Sequence, residues 1–457
     1  MQSINPATET VVAEYPEISD EELDRRIQAA RDAYLSWSQT SFAERRPRMA
    51  AAASDLRAHA DEYARLMAEE MGKPLGQGRS EVEKCAWVCD YYAENAERFL
   101  APEPVEVGDD KSFVAFRPLG TVLAIMPWNF PMWQVFRFAA PSLMAGNVGL
   151  LKHAANVQGS AEAIVDVFQR AGFPSGAFQN LPIGSKRVAR VIADSRVHAV
   201  TITGSTPAGK AVASAAGAAL KKVVLELGGS DPYVILEDCD LDRAVEKCVT
   251  SRLINGGQSC IAAKRFIVVE SVVDAFTKKF VERMRTKTVG DPLVDTSVDL
   301  GPMARVDLRD ELHDQVVRSV AAGAKLLLGG EVPDGGGAFY PPTVLGGVTE
   351  GMPVYTEETF GPVATIIAAR DEEDAIRIAN DSIFGLGAAV FTGDPARGER
   401  IANEALEAGC CFVNDFVRSD PRLPFGGIKE SGYGRELADY GIREFVNIKT
   451  VYVGGQA

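Results

Sequence analysis

Short apolar runs with the length of β-strands alternate with helix-like segments through the middle of this sequence. The runs between residues 121 and 236 read TVLAIM, VGLLK, HAVTIT, VVLEL and YVIL. Parallel strands need crossover connections, which are usually helices, so the alternation predicts right-handed βαβ units and a sheet covered on both faces. A similar series follows over residues 231–427, and a chain of 457 residues favours two α/β lobes over one oversized sheet. The first lobe has the character of a nucleotide-binding layer.

The first hundred residues carry the start signals of helices. The patterns Ser19-x-x-Glu22, Ser41-x-x-Glu44 and Ser80-x-x-Glu83 each match a capping box. In a capping box the serine accepts a backbone N–H bond and the glutamate reaches back to the serine N–H. The patterns therefore predict three helices that begin just after these serines.

The charge balance limits the partners of this chain. Asp plus Glu number 63 and Lys plus Arg number 48, which gives a formal net charge of −15. Such a chain repels polyphosphates, and the sequence has no basic stripe for nucleic acid. No apolar stretch is suited to crossing a membrane, and the N-terminus lacks the pattern of a signal peptide, so we expect a cytoplasmic protein.

Cysteine and histidine usage indicates chemistry without a metal. The seven cysteines are an odd number scattered along the chain, which is typical of a reducing compartment. The four histidines lack the spacing of a ligand pair, so we expect neither a metal site nor a Cys–His nucleophile pair. Proton transfer would then have to use other bases.

Three segments could carry chemistry. A strand-like run ends at Thr203 and meets Gly204 and Ser205, where a helix start could hold a pyrophosphate or could be an ordinary serine-capped helix. Glu226 ends another run, at an edge where open α/β sheets place ligands, and could be a general base or a salt-bridged strand-end acid. Cys260 follows a glycine-rich loop that could aim its backbone N–H at an oxyanion, or it could be an inert buried cysteine.

Arg137 is the only charged residue between Arg117 and Lys152. An arginine in so apolar a stretch is costly unless an anion pairs with it. If a helix begins near Pro131, Arg137 and Trp133 share one of its faces. The anion could be a ligand in a cleft or a carboxylate of the protein itself.

Seven motifs, taken together and in this order, resemble the aldehyde dehydrogenase superfamily over essentially the whole chain. They are PWNFP at 127–131, LLK ending at Lys152, TGST at 203–206, LELGG at 225–229, GGQSC at 256–260, ETFGP at 358–362 and PFGGIKESGYGRE at 424–436. The resemblance implies an α/β fold with a Rossmann-type NAD(P)-binding domain, a catalytic domain and a small β element for oligomerisation. The NAD(P)-binding domain would span residues 1–102 and 119–228, with a return of the chain over 431–443. The catalytic domain would span residues 229–430, and the β element would combine 103–118 with 444–457. It also implies a homodimer or homotetramer.

The same resemblance implies roles for individual residues. Cys260 would attack the aldehyde carbon, Asn129 and the Cys260 N–H would hold the oxyanion, and Glu226 would activate the water that hydrolyses the thioester. The presence of Glu226 favours an acid over an acyl-CoA as product. The implied cofactor residues are Trp128, Lys152, Ala155, Gly204, Ser205, Gly209, Leu227, Glu358 and Phe360. Lys152 is assigned to the catalytic residues as well, and its side chain would reach the adenosine ribose or its 2′-phosphate.

Ala155 is a departure that bears on the cofactor. Many NAD-preferring relatives carry a glutamate at this position, three residues after the lysine, where it repels a 2′-phosphate. Its replacement by alanine leaves room for NADP, although nothing in the sequence supplies a second cation. NADP or NAD is therefore expected, with a slight preference for NADP.

Part of the sequence is similar to one group within the superfamily, the bacterial succinate-semialdehyde dehydrogenases. The similar segments are WNFPMWQVFRFAAP, the tripeptide at 152–154 and RSDPR at 418–422. In that group the counterparts of Arg137 and Ser419 bind the distal carboxylate of the substrate. Trp133 would line the tunnel, with Phe130 and Phe425 as further substrate contacts.

The predicted activity is oxidation of the small-molecule aldehyde succinate semialdehyde. Glutarate semialdehyde or another aliphatic aldehyde is the near alternative, since a longer tunnel could still end at Arg137. A catalytically silent binding protein that keeps the fold is the alternative from another class.

Overall fold

A computed structural model describes residues 1–455 of the chain. The segment before the first large sheet holds a β-hairpin, a layer of four helices and two further strands. These are β1 (Gln2–Ile4), β2 (Val11–Glu14), α1 (Asp20–Trp37), α2 (Phe42–Ala58), α3 (Ala60–Met71), α4 (Leu75–Phe99), β3 (Glu103–Pro104) and β4 (Lys111–Pro118).

Two of the three predicted helix starts are confirmed. Ser19 caps α1, and Ser41 caps α2 in a complete capping box. The third prediction was wrong, because α4 begins at Leu75 and Ser80 lies inside it, with its hydroxyl donating to the carbonyl of Gly76. A serine within a helix can bond back to the carbonyl four residues earlier, so the four-residue pattern alone does not locate the helix start.

The first unit is built on a sheet that alternates with helices, as predicted. Its elements are β5 (Thr121–Met126), α5 (Trp133–Ala145), β6 (Val148–His153), α6 (Gln158–Arg170), β7 (Phe178–Asn180), α7 (Val188–Ala193), β8 (Val197–Thr203), α8 (Thr206–Ala218) and β9 (Lys222–Glu226), with 3-10 turns at Ala155–Val157 and Ser185–Arg187. The strands are parallel and lie in the order β9-β8-β5-β6-β7.

The second unit holds a seven-stranded sheet. Its elements are β10 (Asp231–Ile235), α9 (Leu241–Leu253), a 3-10 turn (Ile254–Gly257), β11 (Ala263–Val269), α10 (Glu270–Arg285), α11 (Val306–Ala321), β12 (Lys325–Leu328), β13 (Thr343–Gly346), α12 (Pro353–Thr356), β14 (Val363–Ala369), α13 (Glu372–Asn380), β15 (Phe384–Gly385), β16 (Gly387–Phe391), α14 (Pro395–Arg400), a π-helical turn (Ile401–Ala405) and β17 (Cys410–Val413). The order is β12-β13-β14-β11-β10-β16-β17, and β12 is the antiparallel strand. The predicted α/β class with two lobes is confirmed.

Both faces of the second sheet are buried. Tyr233 and Val234 are adjacent in β10 but pack into different hydrophobic clusters. Phe266 and Ile267 in β11 divide in the same way. Since successive side chains of a strand point to opposite faces, this sheet is covered on both sides, as a parallel sheet requires.

The C-terminal segment returns to the earlier sheets. Its elements are β18 (Ile428–Lys429), β19 (Gly432–Tyr433), α15 (Ala438–Arg443) and β20 (Val446–Val453). β18 pairs with β15, β19 adds to the first sheet beside β9, and β20 pairs with β4 in a three-stranded sheet that includes β3. Strands β3, β4 and β20 lie in the segments 103–118 and 444–457, whereas the domain boundaries and the role of these segments in assembly stay predictions. Residues 456 and 457 of that segment lie outside the described residues.

Among the helices of residues 1–455, none is both long and apolar enough to cross a membrane.

Candidate active site

The strand order of the first sheet reverses between β5 and β8. Open α/β sheets bind ligands beside the carboxyl ends of their strands at such a reversal. The loop after β5 carries Trp128 and Asn129, and the turn after β8 carries Gly204 and Ser205. The fold therefore brings predicted oxyanion and cofactor residues to one edge of the sheet.

A cavity of about 300 Å³ collects all five predicted substrate residues around Cys260. These are Phe130, Trp133, Arg137, Ser419 and Phe425. Helix α4 supplies another part of the wall, through Lys73, Gln77, Ser80, Glu81 and Lys84. Aromatic rings, cationic side chains and a cysteine thus line a single small space.

A buried ion pair holds the loop that contains Asn129. Lys73 and Glu81 contact each other, and their side chains are only 1% and 2% exposed. Lys73 donates to the backbone carbonyl of Asn129 at 3.0 Å, and Glu81 Oε1 accepts from the N–H groups of Met132 and Trp133 at 2.9 Å each. The first N–H groups of a helix lack partners within it, so Glu81 caps α5 from a different helix.

The Asn129 side chain is tied to the loop that carries Cys260. Its amide nitrogen donates to the carbonyl of Gln258 at 3.1 Å. Asn255 donates from its own amide to the carbonyl of Asn129 at 2.7 Å. Asn129 and the cysteine loop are therefore fixed relative to each other, in an arrangement that suits a shared oxyanion site.

The cysteine loop needs its glycines. Asn255, Gly256 and Gly257 all have positive φ angles, of 56°, 63° and 76°. A Cβ atom on Gly257 would overlap the backbone carbonyl of Gly361. Glycine is the residue that adopts this backbone at low cost, which explains the GG of the GGQSC motif.

Burial raises the pKa of the Cys260 thiol to about 12, while the positive charges of Lys264 and Arg137 act to lower it. Lys264 is itself buried and donates to the backbone carbonyl of Cys260 at 2.6 Å. It also pairs with Glu358 at 3.1 Å. Lys264 is thus the cation that links the cysteine to a predicted cofactor residue.

Glu226 lies at the end of β9 and is not part of the cavity wall. Its Oε1 is buried without a hydrogen-bond partner among residues 1–455. Burial raises the pKa of Glu226 well above its usual value, repulsion from Glu436 adds to this, and Arg137 and Arg435 oppose it. A carboxyl in this state keeps its proton to a higher pH than an ordinary carboxyl does.

Arg137 is partnered by a carboxylate of the protein. It is 2% exposed, forms an ion pair with the buried Glu436, and donates to Thr203 Oγ1 at 3.2 Å. Its guanidinium carbon lies 4.7 Å from the centre of the Phe425 ring. Of the two partners that the sequence left open for Arg137, the structure therefore contains the internal one, although the side chain also reaches the cavity wall.

The predicted nicotinamide-side residues lie together. The rings of Trp128 and Phe360 pack edge to face, with centroids 5.7 Å apart. Glu358 accepts from the backbone N–H of Gly229 at 3.1 Å. This group adjoins the cysteine loop through Lys264.

The predicted phosphate and ribose residues lie in two places. Ser205 caps α8, so an ordinary serine cap is present at the turn after β8. A Cβ on Gly209 would come within 2.5 Å of the Leu227 side chain, which shows how closely the helix approaches the chain after β9. Lys152 and Ala155 line a separate cavity of about 650 Å³.

Comparison with known proteins identifies the family. The profile of the Aldehyde dehydrogenase family matches residues 1–451. The chain belongs to the aldehyde dehydrogenase family. The resemblance seen in the motifs is therefore confirmed for the whole protein, while the roles of its individual site residues stay predictions.

Several relatives of this aldehyde dehydrogenase carry a specific name. Succinate-semialdehyde dehydrogenase NADP(+) of Mycolicibacterium paratuberculosis is 51% identical, over 99% of this chain and 96% of that protein. Succinate semialdehyde dehydrogenase NAD(P)+ of Escherichia coli is 49% identical, over 98% of this chain and 97% of that protein. The crystal structure of succinic semialdehyde dehydrogenase from Streptococcus pyogenes in complex with NADP+ matches with a TM-score of 0.97 at 38% identity, over 99% of this chain and 100% of that chain.

Sequence reasoning missed four charged residues of the site. They are Lys73, Glu81, Lys84 and Lys264. A signal was present for two of them, since Glu81, Lys84, Cys85 and Val88 have the i, i+3, i+4, i+7 spacing of one helix face. Charges on an otherwise apolar face indicate a buried polar site.

We expect Lys264→Met to slow alkylation of Cys260 by iodoacetamide at pH 8. Removal of the cation takes away a charge that lowers the pKa of the thiol, so a smaller fraction is thiolate at that pH. The rate is measured by mass spectrometry of the Cys260 peptide. Lys278→Met, on the exposed face of α10, is the control, and an unchanged or faster rate in Lys264→Met would contradict the assignment.

Proposed function

We propose that this aldehyde dehydrogenase oxidises succinate semialdehyde to succinate with NADP as the preferred cofactor. The observation that carries the proposal is the cavity that combines Cys260 with aromatic and cationic side chains. A nucleophile, an apolar passage and a positive end are what an aldehyde with a distal carboxylate requires. The names of the relatives support the same substrate.

The first step is attack of the Cys260 sulfur on the aldehyde carbon. Burial keeps the Cys260 thiol protonated at neutral pH, so it first gives its proton to solvent water, and the thiolate then forms the carbon–sulfur bond as the carbonyl π electrons move to the oxygen. The carbonyl oxygen becomes an oxyanion that accepts hydrogen bonds from the Asn129 amide and the Cys260 N–H. The product of this step is a thiohemiacetal on Cys260.

The second half of the reaction releases the acid. The chemistry that NADP supplies when bound is acceptance of a hydride from the substrate carbon, which leaves a thioester on Cys260. Glu226 takes a proton from a water molecule as that water attacks the thioester carbon, and the sulfur departs as a thiolate. The raised pKa of Glu226 makes it a stronger base than an ordinary carboxylate once it is ionised.

The residues present fit a dinucleotide with a 2′-phosphate. Lys152 lines a cavity of about 650 Å³, whose wall also holds Arg305 and the acids Glu9 and Asp307. Ala155, in the same wall, adds no negative charge. The nicotinamide side of the cofactor would be held by Trp128, Glu358 and Phe360. The turn at 204–209 and Leu227 would border the part of the dinucleotide between its nicotinamide and adenosine ends.

We also infer a homodimer or homotetramer assembled through the three-stranded sheet. β20 is an edge strand of that sheet, and its Ile448 and Tyr452 are 62% and 54% exposed. An exposed apolar edge strand is a surface that proteins usually cover. Residues 1–102, 119–228 and 431–443 would then form the cofactor domain, and residues 229–430 the catalytic domain.

The substrate assignment is tested with the purified wild-type enzyme. We expect kcat/KM for succinate semialdehyde to exceed that for butanal by about 10-fold or more, since a charge-assisted hydrogen bond contributes roughly 1.5–3 kcal/mol. Initial rates are followed by NADPH absorbance. Equal values for the two aldehydes would contradict the proposal, and a higher value for glutarate semialdehyde would shift it to that substrate.

Glu226→Gln is expected to oxidise one equivalent of aldehyde per active site and then stall. Without the base the thioester persists, so NADPH appears in a stoichiometric burst followed by slow turnover. Stopped-flow absorbance measures the burst. Cys260→Ala is the control that should bind cofactor and give no burst, and steady turnover by Glu226→Gln at the wild-type rate would refute the role of the base.

Ala155→Glu should lower kcat/KM for NADP by about 10-fold or more and leave that for NAD nearly unchanged, because a like charge would face the 2′-phosphate. Ala155→Gln has a similar shape without the charge and should keep the wild-type preference. Initial rates with both cofactors measure the change. Equal losses for NADP and NAD in Ala155→Glu would place the 2′-phosphate elsewhere.

A further inference from the structure

The cavity around Cys260 has four cationic side chains in its wall, and three of them are already paired. The pairs are Lys73–Glu81, Arg137–Glu436 and Arg418–Asp415. The fourth cation is Lys84, and no carboxylate of residues 1–455 lies within ion-pair distance of it. One positive charge in the cavity is therefore left without a partner.

The surroundings of Lys84 aim this charge at the cavity. Its Nζ donates to Ser419 Oγ at 2.7 Å and lies 4.4 Å from the centre of the Trp133 ring. Ser419 and Trp133 both line the cavity. An ammonium with one neutral acceptor and one aromatic face keeps further donors free.

The nearest acids do not neutralise Lys84. Asp420 is engaged by Arg422 at 2.7 Å, and Glu81 by Lys73 and the start of α5. Burial lowers the pKa of Lys84 to about 8, and the positive charge of Arg137 adds to this. An incoming carboxylate would act in the opposite direction and stabilise the charged ammonium.

We propose that Lys84, together with Ser419, is the main binding group for the distal carboxylate of the substrate. The inference rests on the proposed function and names the specificity-determining residue of that site. Arg137 then plays a different part, since its charge is matched by Glu436 and it contributes mainly to the shape and field of the wall. One unmatched positive charge suits one carboxylate on the substrate.

The test compares kcat/KM for succinate semialdehyde and butanal in wild type, Lys84→Met and Lys278→Met. Lys84→Met should lose on the order of 10- to 100-fold for succinate semialdehyde, the scale of one charged hydrogen bond. The loss should appear in KM with kcat preserved, because the distal contact is equal in ground state and transition state. The change in kcat/KM for butanal should be at least about 10-fold smaller than the loss for succinate semialdehyde, and Lys278→Met should match wild type for both aldehydes.

Three further variants keep the result interpretable. Lys84→Arg retains the charge and should retain most of the preference, whereas Lys84→Gln should lose it even if Lys84→Met folds poorly. Arg137→Met leaves Glu436 buried without its partner, so it should lower the melting temperature and impair both aldehydes.

The outcomes separate this inference from the proposed function. If wild type itself does not prefer succinate semialdehyde, the proposed function fails and the role of Lys84 fails with it. If wild type prefers it and both Lys84→Met and Lys84→Gln keep that preference, the function stands and the inference is overturned. A selective loss in Arg137→Met alone would assign the carboxylate to Arg137.

Discussion

The buried ion pair between Lys73 and Glu81 connects the parts of the site that come from different elements. Glu81 caps the start of α5, which carries Trp133 and Arg137, while Lys73 holds the backbone of Asn129. Removal of one member of such a pair leaves an uncompensated buried charge, at a cost of about 3–5 kcal/mol. The predicted oxyanion residue and the predicted substrate wall therefore depend on two charges that bind each other and the protein backbone.

Charge matching is also how an acidic protein could receive the proposed anionic substrate. The protein as a whole carries a net charge of −15. In the cavity wall, Lys73 and Arg137 are each balanced by one carboxylate. A single unmatched ammonium then decides the local field, because charges inside a low-dielectric space interact far more strongly than charges in water. In the proposed function, the selectivity of the site for a carboxylate comes from the unpaired ammonium of Lys84 in its wall.

Several features could be read from the residues because they depend on neighbours in sequence. The βαβ alternation and the caps at Ser19 and Ser41 arise from local patterns. Ser80 shows the limit of this reasoning, since the same Ser-x-x-Glu pattern also occurs inside helix α4. The seven motifs identified the family, but Lys84 and Lys264 lie outside them and became visible only through their contacts.

The sequence by itself determined the fold class and the family, because these follow from local periodicity and from motifs of contiguous residues. Tertiary structure decided which charges cancel. Whether Arg137 meets a substrate or Glu436, and whether Lys84 is paired or free, depends on residues as far as 335 positions apart in the chain, as between Lys84 and Ser419. Electrostatic interaction depends on distance in space, and only the packed chain sets that distance.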